Sequence, residues 1–158
     1  MHFLSFPVLP EEKKAKFHRV FVGKLPNALA ALAYSQVKKI QKYNTKRAEI
    51  TRYYIAMLGK YAHLLYEKAD PLLRFPITIE KRDEILALLK KHGVYLGTWY
   101  ANVIDPKGVD FDKVFYKRGS CPNAEKIAGS ILNLPTYPTM ILKDAKKVVT
   151  LLKQYATR

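Results

Sequence analysis

Residue types that commonly bind metals or act as nucleophiles are few in this sequence. The histidines are His2, His18, His63 and His92, and the single cysteine is Cys121. Zinc sites need Cys and His at close, regular spacing, and these five residues do not show it. No histidine lies near Cys121 in sequence to activate its thiol, so we interpret Cys121 as the residue before a helix. The sequence therefore offers no candidate catalytic residue and no candidate metal ligand.

Aromatic side chains are the better candidates for a binding site. Trp99 and Tyr100 end a predicted strand and open a long loop, a place where binding residues are often found. They could form the wall of a ligand pocket, with an aromatic pair in the core as the alternative. Tyr137, between Pro135 and Pro138, is a third candidate at the end of another predicted strand, with a turn residue as its alternative.

The chain has 158 residues and a net charge of +15, from 28 Lys and Arg against 13 Asp and Glu. A chain of about 100–200 residues normally forms one globular domain. No repeat or low-complexity tract is present, which argues against disorder, collagen and solenoid folds. The charge would suit nucleic-acid binding, but no nucleic-acid-binding motif occurs and the basic residues are spread over all predicted elements. A solvated basic surface, which would also attract an anionic ligand, is the simpler interpretation.

The sequence predicts a soluble, cytoplasmic protein with no membrane partner. Its apolar stretches fall far short of the roughly 18 residues of a spanning helix. The start, MHFLSFPVLPEEKK, has neither the basic residues nor the cleavage site of a signal peptide. A single cysteine forms no internal disulfide, which agrees with a reducing compartment.

The pattern of apolar residues predicts an α+β fold. Residues 1–25 are poorly determined, and residues 26–67 predict one long helix or two helices broken near 43–45. Residues 70–158 predict a small domain with helices at about 80–92, after Pro122 and after Asp144, and strands at 73–79, 94–100 and 131–134. The expected architecture is a long linking helix followed by a small sheet of about three strands, covered by helices.

Three segments together resemble the C-terminal part of the DegT/DnrJ/EryC1/StrS sugar aminotransferases, which use pyridoxal phosphate (PLP) and have the type I aminotransferase fold. They are KLPNALAALAYSQVKKIQKYNTKRAEITRYY (24–54), KRDEILALLKKHGVYLGTWY (81–100) and GSCPNAEKIAGSILNLPTYPTMILKDAKKVV (119–149). CPNAE (121–125) resembles the family's Cys-Pro-x-Ala-Glu helix start, and LPTYP (134–138) its Leu-Pro-x-x-Pro strand end. The resemblance covers residues 16–158 and implies that 26–67 link a large PLP domain to a small domain, 70–158.

Departures from the family pattern bear on the site. Many members have Gly-x-Asn-Tyr-Arg before the linking helix, whose Asn reaches the PLP phosphate of the neighbouring subunit. Val22, Gly23 and Lys24 stand there, so that contact is absent or replaced, and Lys24 is the candidate cofactor-binding residue. Many members have His-Tyr where this chain has Trp99 and Tyr100, although some branches look similar to this chain. The resemblance implies that Trp99, Tyr100 and Tyr137 bind substrate.

The resemblance also implies a missing catalytic half. The family's Schiff-base lysine, its pyridinium aspartate and its stacking aromatic belong to the large domain, and no residue here matches them. Transamination needs that lysine and that carboxylate. A lysine on a solvated helix face keeps a pKa near its reference value of about 10.4 and is a poor imine former. We therefore expect neither catalysis by this chain alone nor covalent binding of PLP to it.

Three functions follow from these observations. The chain is the C-terminal domain of a PLP-dependent nucleotide-sugar aminotransferase, a non-catalytic interaction or regulatory module derived from that domain, or a basic nucleic-acid binder. The first implies as partners a nucleotide sugar, the large PLP domain in the same or a separate chain, and a second copy in a homodimer. Without the large domain, its interface on this chain would be bare, and the stripe of Tyr53, Tyr54 and Tyr61 is either core packing or part of that surface.

Overall fold

The computed structural model of the protein describes residues 8–59 and 63–156. These residues form α-helices, three strands and a short 3-10 helix at Arg19–Val22. The helices are α1 (Pro10–Lys13), α2 (Asn27–Val37), α3 (Ile40–Leu58), α4 (Arg82–Lys91), α5 (Pro122–Ser130) and α6 (Leu142–Ala156). The strands are β1 (His63–Leu64), β2 (Arg74–Thr78) and β3 (Ile131–Pro135). The predicted α+β class is confirmed.

The sheet is built around the antiparallel pair of β2 and β3, with the two-residue β1 on the outer edge of β2. In this pair, Phe75 lies opposite Leu134 and Ile77 opposite Leu132, and all four side chains are fully buried. Successive side chains of a strand point to opposite faces, so these four residues form one apolar face. Arg74 opposite Pro135 and Pro76 opposite Asn133 belong to the other face.

Helices α3, α4 and α6 complete the core together with the apolar face of the sheet. They contribute buried residues at helical spacing, namely Ile50, Tyr54 and Leu58 from α3, Ile85 and Leu89 from α4, and Ala145, Val148, Val149 and Leu152 from α6. Tyr54 connects α3 to both strands. Its ring lies 5.5 Å from that of Phe75, and its hydroxyl donates a 3.0 Å hydrogen bond to the carbonyl oxygen of Pro135. Burial raises the pKa of Tyr54 well above its ordinary value, which keeps the hydroxyl protonated as a donor.

The strand predicted at 94–100 is wrong. The Val94 N–H bonds back to the Leu89 carbonyl oxygen, so this residue belongs to the turn that ends α4. Gly93 has a φ of 72° there, a left-handed conformation that glycine adopts without steric cost. Beyond this turn only Gly97 pairs with β3, through a single bridge to Asn133. Val94, the first residue of the expected strand, is therefore part of the turn that ends α4.

The helical stretch is shorter than the predicted 26–67 and breaks at another place. The break lies at Lys38 and Lys39, where the Lys39 N–H bonds to the Gln36 carbonyl in a tighter, 3-10-like turn. No break occurs near 43–45, since α3 is continuous from Ile40 to Leu58. Within it the Asn44 side chain accepts a hydrogen bond from Arg47, and Thr45 donates to the Gln41 carbonyl one turn earlier. The helix ends at Leu58.

The hydrogen bond of Tyr54 predicts a measurable contribution to stability. Tyr54→Phe keeps the buried ring and removes the hydroxyl, so we expect it to lower the free energy of unfolding by about 1 kcal/mol, measured by urea denaturation. Tyr54→Ala also creates a cavity and should cost about 3–5 kcal/mol. Tyr34→Phe on the exposed face of α2 is the matched control and should change stability by less than about 0.5 kcal/mol. Equal effects of Tyr54→Phe and Tyr34→Phe would contradict this role of the Tyr54 hydroxyl.

Candidate functional site

Asn133 connects the sheet to the segment that carries Trp99 and Tyr100. It lies in β3, and its backbone exchanges two hydrogen bonds with Gly97, of 2.8 and 3.1 Å. Its side-chain amide donates a third hydrogen bond to the carbonyl oxygen of Trp99. Asn133 is buried, so this polar side chain is satisfied only as long as the segment stays in place. Residues 97–99 are therefore held against β3 at three points.

Trp99 and Tyr100 form an exposed aromatic pair. Their ring planes are inclined by 16°, with centroids 6.4 Å apart. The two residues are 61% and 60% exposed, so the core-packing alternative is wrong for both. The guanidinium carbon of Arg74, which begins β2, lies 5.0 Å from the centroid of the Trp99 ring. The pair is thus flanked by a cation from the neighbouring strand.

A small cleft begins where the aromatic pair ends. Its lining comes from the loop after the pair and from α5, and consists of Ala101, Asn102, Val103, Phe111, Tyr116, Arg118, Glu125, Ala128 and Gly129. The cavity volume is about 240 Å³, just below the roughly 300–1,000 Å³ of small-molecule pockets. A cleft of this size suits part of a ligand.

Glu125 ties the loop to the start of α5. Its carboxylate accepts hydrogen bonds from the Tyr116 hydroxyl at 2.6 Å and from the Gly119 N–H at 2.7 Å. Gly119 has a φ of 87°, a left-handed conformation that glycine adopts readily. The hydrogen bond from Tyr116, followed by the one from Gly119, lowers the pKa of Glu125, and the same bond to Glu125 raises the pKa of Tyr116. The cleft therefore contains a carboxylate that stays charged at neutral pH.

The predicted site residues do not all come together. Trp99 and Tyr100 are adjacent, whereas Tyr137, which is 48% exposed, follows β3 and lies near Tyr54. The pKa of Tyr54 is raised first by burial and then by Tyr137. Lys24 is exposed in the segment before α2, and within the described residues it makes no hydrogen bond, salt bridge or ring contact with the aromatic pair. Their predicted binding roles remain predictions.

Sequence reasoning missed Arg74, Asn133 and Glu125 as parts of this region. Arg74 could have been noticed as a charged residue in an otherwise apolar strand, and Glu125 as the acidic residue in the first turn of a helix. Asn133 gives a weaker signal, because a lone Asn in a buried strand shows that it has a partner but does not identify it.

Within residues 8–59 and 63–156, no group of His, Cys, Asp and Glu is arranged to hold a metal ion. In the same ranges no helix has the length and apolar composition needed to cross a membrane. None of the described lysines is buried, whereas a lysine that forms an imine is usually desolvated. The described residues thus do not fit the lysine end of a PLP site.

Comparison with known proteins identifies the family. The profile of the DegT/DnrJ/EryC1/StrS aminotransferase family matches residues 3–153. The chain belongs to this family. The resemblance recognised from the three sequence segments is confirmed.

Solved structures show the same fold. DesV of S. venezuelae, in complex with a ketimine intermediate, is 24% identical with a TM-score of 0.70, over 82% of this chain and 36% of DesV. NtdA of Bacillus subtilis, with bound PMP, is 23% identical with a TM-score of 0.60, over 72% and 28% of the two chains. An aminotransferase of the family from Brucella abortus is 21% identical with a TM-score of 0.59, over 72% and 31%. The chain thus spans about a third of the length of these structures.

The contacts of Glu125 predict a pH-dependent stability. A lowered pKa in the folded state stabilises the fold above the ordinary pKa of 4.5, and this contribution is lost as the pH falls through the lowered value. Glu125→Gln should therefore lower the melting temperature at pH 7, and the difference from the unmodified chain should shrink below about pH 4. Thermal unfolding followed by circular dichroism between pH 3 and 8 measures it.

Glu67→Gln is the matched control, because Glu67 is exposed outside the helices and strands. It should leave the melting temperature nearly unchanged at every pH. A Glu125→Gln effect that stays constant from pH 3 to pH 8 would show that the carboxylate charge does not hold the loop.

Proposed function

We propose that the chain is the small C-terminal domain of a PLP-dependent nucleotide-sugar aminotransferase. The complete enzyme converts a keto-sugar nucleotide to an amino-sugar nucleotide, with glutamate as the amino donor. The lysine-bearing PLP domain is supplied in the same or a separate chain. The small domain closes the substrate pocket and contributes to a homodimer. Family membership supports the reaction class, and the exposed apolar face of α2 supports the need for a further domain.

Helix α2 is the observation that carries this proposal. Its sequence, NALAALAYSQV, is mostly apolar, yet none of its residues is buried. Leu29 and Leu32 are 52% and 58% exposed, and Leu25, Tyr34, Val37 and Ile40 are at least half exposed. An isolated helix of 11 residues is only marginally stable in water, so an apolar helix of this length needs a packing partner. Contiguous exposed apolar surface of this kind is typical of an interface.

The part of the family fold that this chain does not cover is a suitable partner for that face. The matched structures extend well beyond the region that this chain covers. In this proposal α2 belongs to the helix that links the two domains and lies at their boundary. Lys24, just before α2, is proposed to approach the PLP phosphate from this side. None of the described lysines is buried, which supports assigning the imine-forming lysine to the other domain.

The aromatic pair is the proposed contribution of this domain to the substrate pocket. Trp99 and Tyr100 are exposed, held to β3 by Asn133 and adjacent to the small cleft. Exposed aromatic rings beside a cleft offer flat surface for a sugar or a base. Tyr137 is proposed to contact substrate from the end of β3.

The role of α2 predicts a separation between stability and assembly. Leu32→Glu places a charge on an exposed face, so the free energy of unfolding of the 158-residue chain should change by less than about 0.5 kcal/mol. Ile50→Glu, the buried control on α3, should cost more than about 4 kcal/mol or prevent folding, because it buries an unpaired charge. Urea denaturation measures both. A loss of several kcal/mol in Leu32→Glu would show that α2 already packs within this chain.

The enzyme activity is tested on the longest reading frame that contains this chain. We expect that frame, or a separately encoded PLP domain mixed with the chain, to aminate a nucleotide-linked keto sugar with glutamate, followed by mass spectrometry of the sugar product. The 158-residue chain alone should be inactive, and PLP with borohydride should give no stoichiometric adduct on one lysine. A stoichiometric adduct on a single lysine, with turnover by the chain alone, would overturn the proposal. So would a longest frame without a lysine-bearing domain, if no second chain restores activity.

A further inference from the structure

Basic residues occur throughout the chain, but acidic residues do not. The stretch from 13 to 48 has 10 Lys and Arg and no Asp or Glu in its 36 residues, whereas the other 122 residues have 18 Lys and Arg and 13 Asp and Glu. Less than a quarter of the chain thus supplies 10 of its 15 net positive charges. Because no carboxylate within the stretch offsets these cations, its surface has a strong positive potential.

The same stretch is rich in exposed apolar side chains. Eight of the sixteen large hydrophobic side chains that are exposed among the described residues lie in it, including Phe17, Leu25 and Tyr34. Helix α2, in the middle of the stretch, has no charged residue at any of its 11 positions. A helix that is apolar around most of its circumference is usually enclosed by protein, whereas a helix that lies on a membrane surface keeps a charged face toward water.

Three lysines lie at the end of α2, where the helix breaks before α3. Lys38 and Lys39 form the break, and Lys42 follows in the first turn of α3. All three are exposed, and no carboxylate of the described residues lies within 4.0 Å of their ammonium groups. The ammonium nitrogen of Lys38 lies 4.4 Å from the centroid of the exposed Tyr34 ring. The cations therefore border the apolar surface of α2 directly.

A second copy of this chain is a poor partner for that surface. In a two-fold symmetric dimer through α2, the same patch of both copies would form the interface. Like charges that meet across an interface oppose binding. The stretch 13–48 has no carboxylate that could pair with the lysines of the other copy. A partner that covers α2 must therefore supply the carboxylates itself.

We propose that α2 with Lys38, Lys39 and Lys42 is a docking surface for an acidic protein partner, whose apolar surface covers the helix and whose carboxylates pair with the lysines. The inference rests on the proposed function for the identity of this partner, the PLP domain, and adds the chemistry of its surface. The apolar contact holds α2, and the ion pairs fix its register, because charges at the edge of an interface act mainly on specificity. A nucleic acid would match the charge and leave the apolar helix exposed, and a membrane would cover only one side of it.

Peptides test the surface without any enzyme activity. The acidic probe is an amphipathic helical peptide of about 20 residues made of Leu and Glu, and its control has Lys in place of Glu. The Glu peptide should cause saturable NMR shift changes of the 27–42 amides in the 158-residue chain, and the Lys peptide should bind at least about 10-fold more weakly. Affinity for the Glu peptide should fall between about 50 mM and 500 mM salt, because exposed charges are screened.

Paired charge reversals separate these lysines from general charge. Lys38→Glu with Lys39→Glu should weaken binding of the Glu peptide by about 10-fold or more. The same variant should bind the Lys peptide more tightly than the unmodified chain does, a gain that misfolding would not produce. Lys146→Glu with Lys147→Glu reverses two adjacent exposed charges on α6 and should change the affinity by less than about 2-fold.

The same two double variants test the surface in the assembled protein. In the longest reading frame that contains the chain, or in the chain mixed with a separate PLP domain, Lys38→Glu with Lys39→Glu should speed amide exchange of 27–37 by about 10-fold. Lys146→Glu with Lys147→Glu should leave that exchange unchanged.

Several results would reject the acidic partner. These are no shift of the 27–42 amides at millimolar Glu peptide, equal affinity for the two peptides, equal effects of the two charge reversals, a dimer of the chain that Leu32→Glu dissociates, or tighter binding of an oligonucleotide or of phosphatidylserine vesicles through 27–42.

Failure of the proposed function looks different, because the peptide assay requires no turnover. Charge-selective binding at 27–42, in a protein whose longest frame never aminates a keto sugar, would keep the docking surface and reject the aminotransferase role. Amination by a protein whose 27–37 amides do not respond to Lys38→Glu with Lys39→Glu would reject the docking surface and keep that role.

Discussion

The hydrogen bonds of Asn133 connect the buried sheet to the exposed candidate site. Its backbone pairs with Pro76 in register on one side and with Gly97 on the other, and its side chain binds the carbonyl of Trp99. A buried amide without partners would cost about 1–3 kcal/mol, so the segment that carries the aromatic pair is coupled to the stability of β3. The core on the opposite face of the sheet fixes β3 itself. The position of the candidate site therefore follows from the packing of α3, α4 and α6.

The chain is unevenly packed, and the proposed function rests on the difference in burial between the small domain and α2. The small domain has a continuous apolar core, in which Tyr54 joins a helix to both strands through its ring and its hydroxyl. Helix α2 has comparable apolar residues but buries none of them. A helix whose apolar side chains stay exposed lacks the main source of helical stability in proteins. The described residues thus combine a closed core with an exposed apolar helix, and this combination is what supports the proposed two-domain enzyme.

Much of this fold could be predicted from local pattern, and the errors have physical causes. Strand β2 alternates in polarity, and α4 has charges that suit its dipole and a glycine at its end, so both were found. The strand expected at 94–100 does not form, because Val94 belongs to the turn that ends α4. The aromatic pair was visible from its position before a loop. The contacts of Arg74 and Asn133 with Trp99 became recognisable only in three dimensions, because they join residues far apart in sequence.

The central claim is that α2 lacks its packing partner within this chain. Amide hydrogen exchange of the isolated 158-residue chain, resolved by NMR, tests it most directly. The account predicts slow exchange for amides of β2, β3 and residues 50–58 of α3, and exchange close to the unprotected rate throughout 27–37. Protection of 27–37 should appear when the longer reading frame or a separate PLP domain is present. Protection of 27–37 in the isolated chain comparable to that of α3 would contradict the account, because the helix would then already be packed.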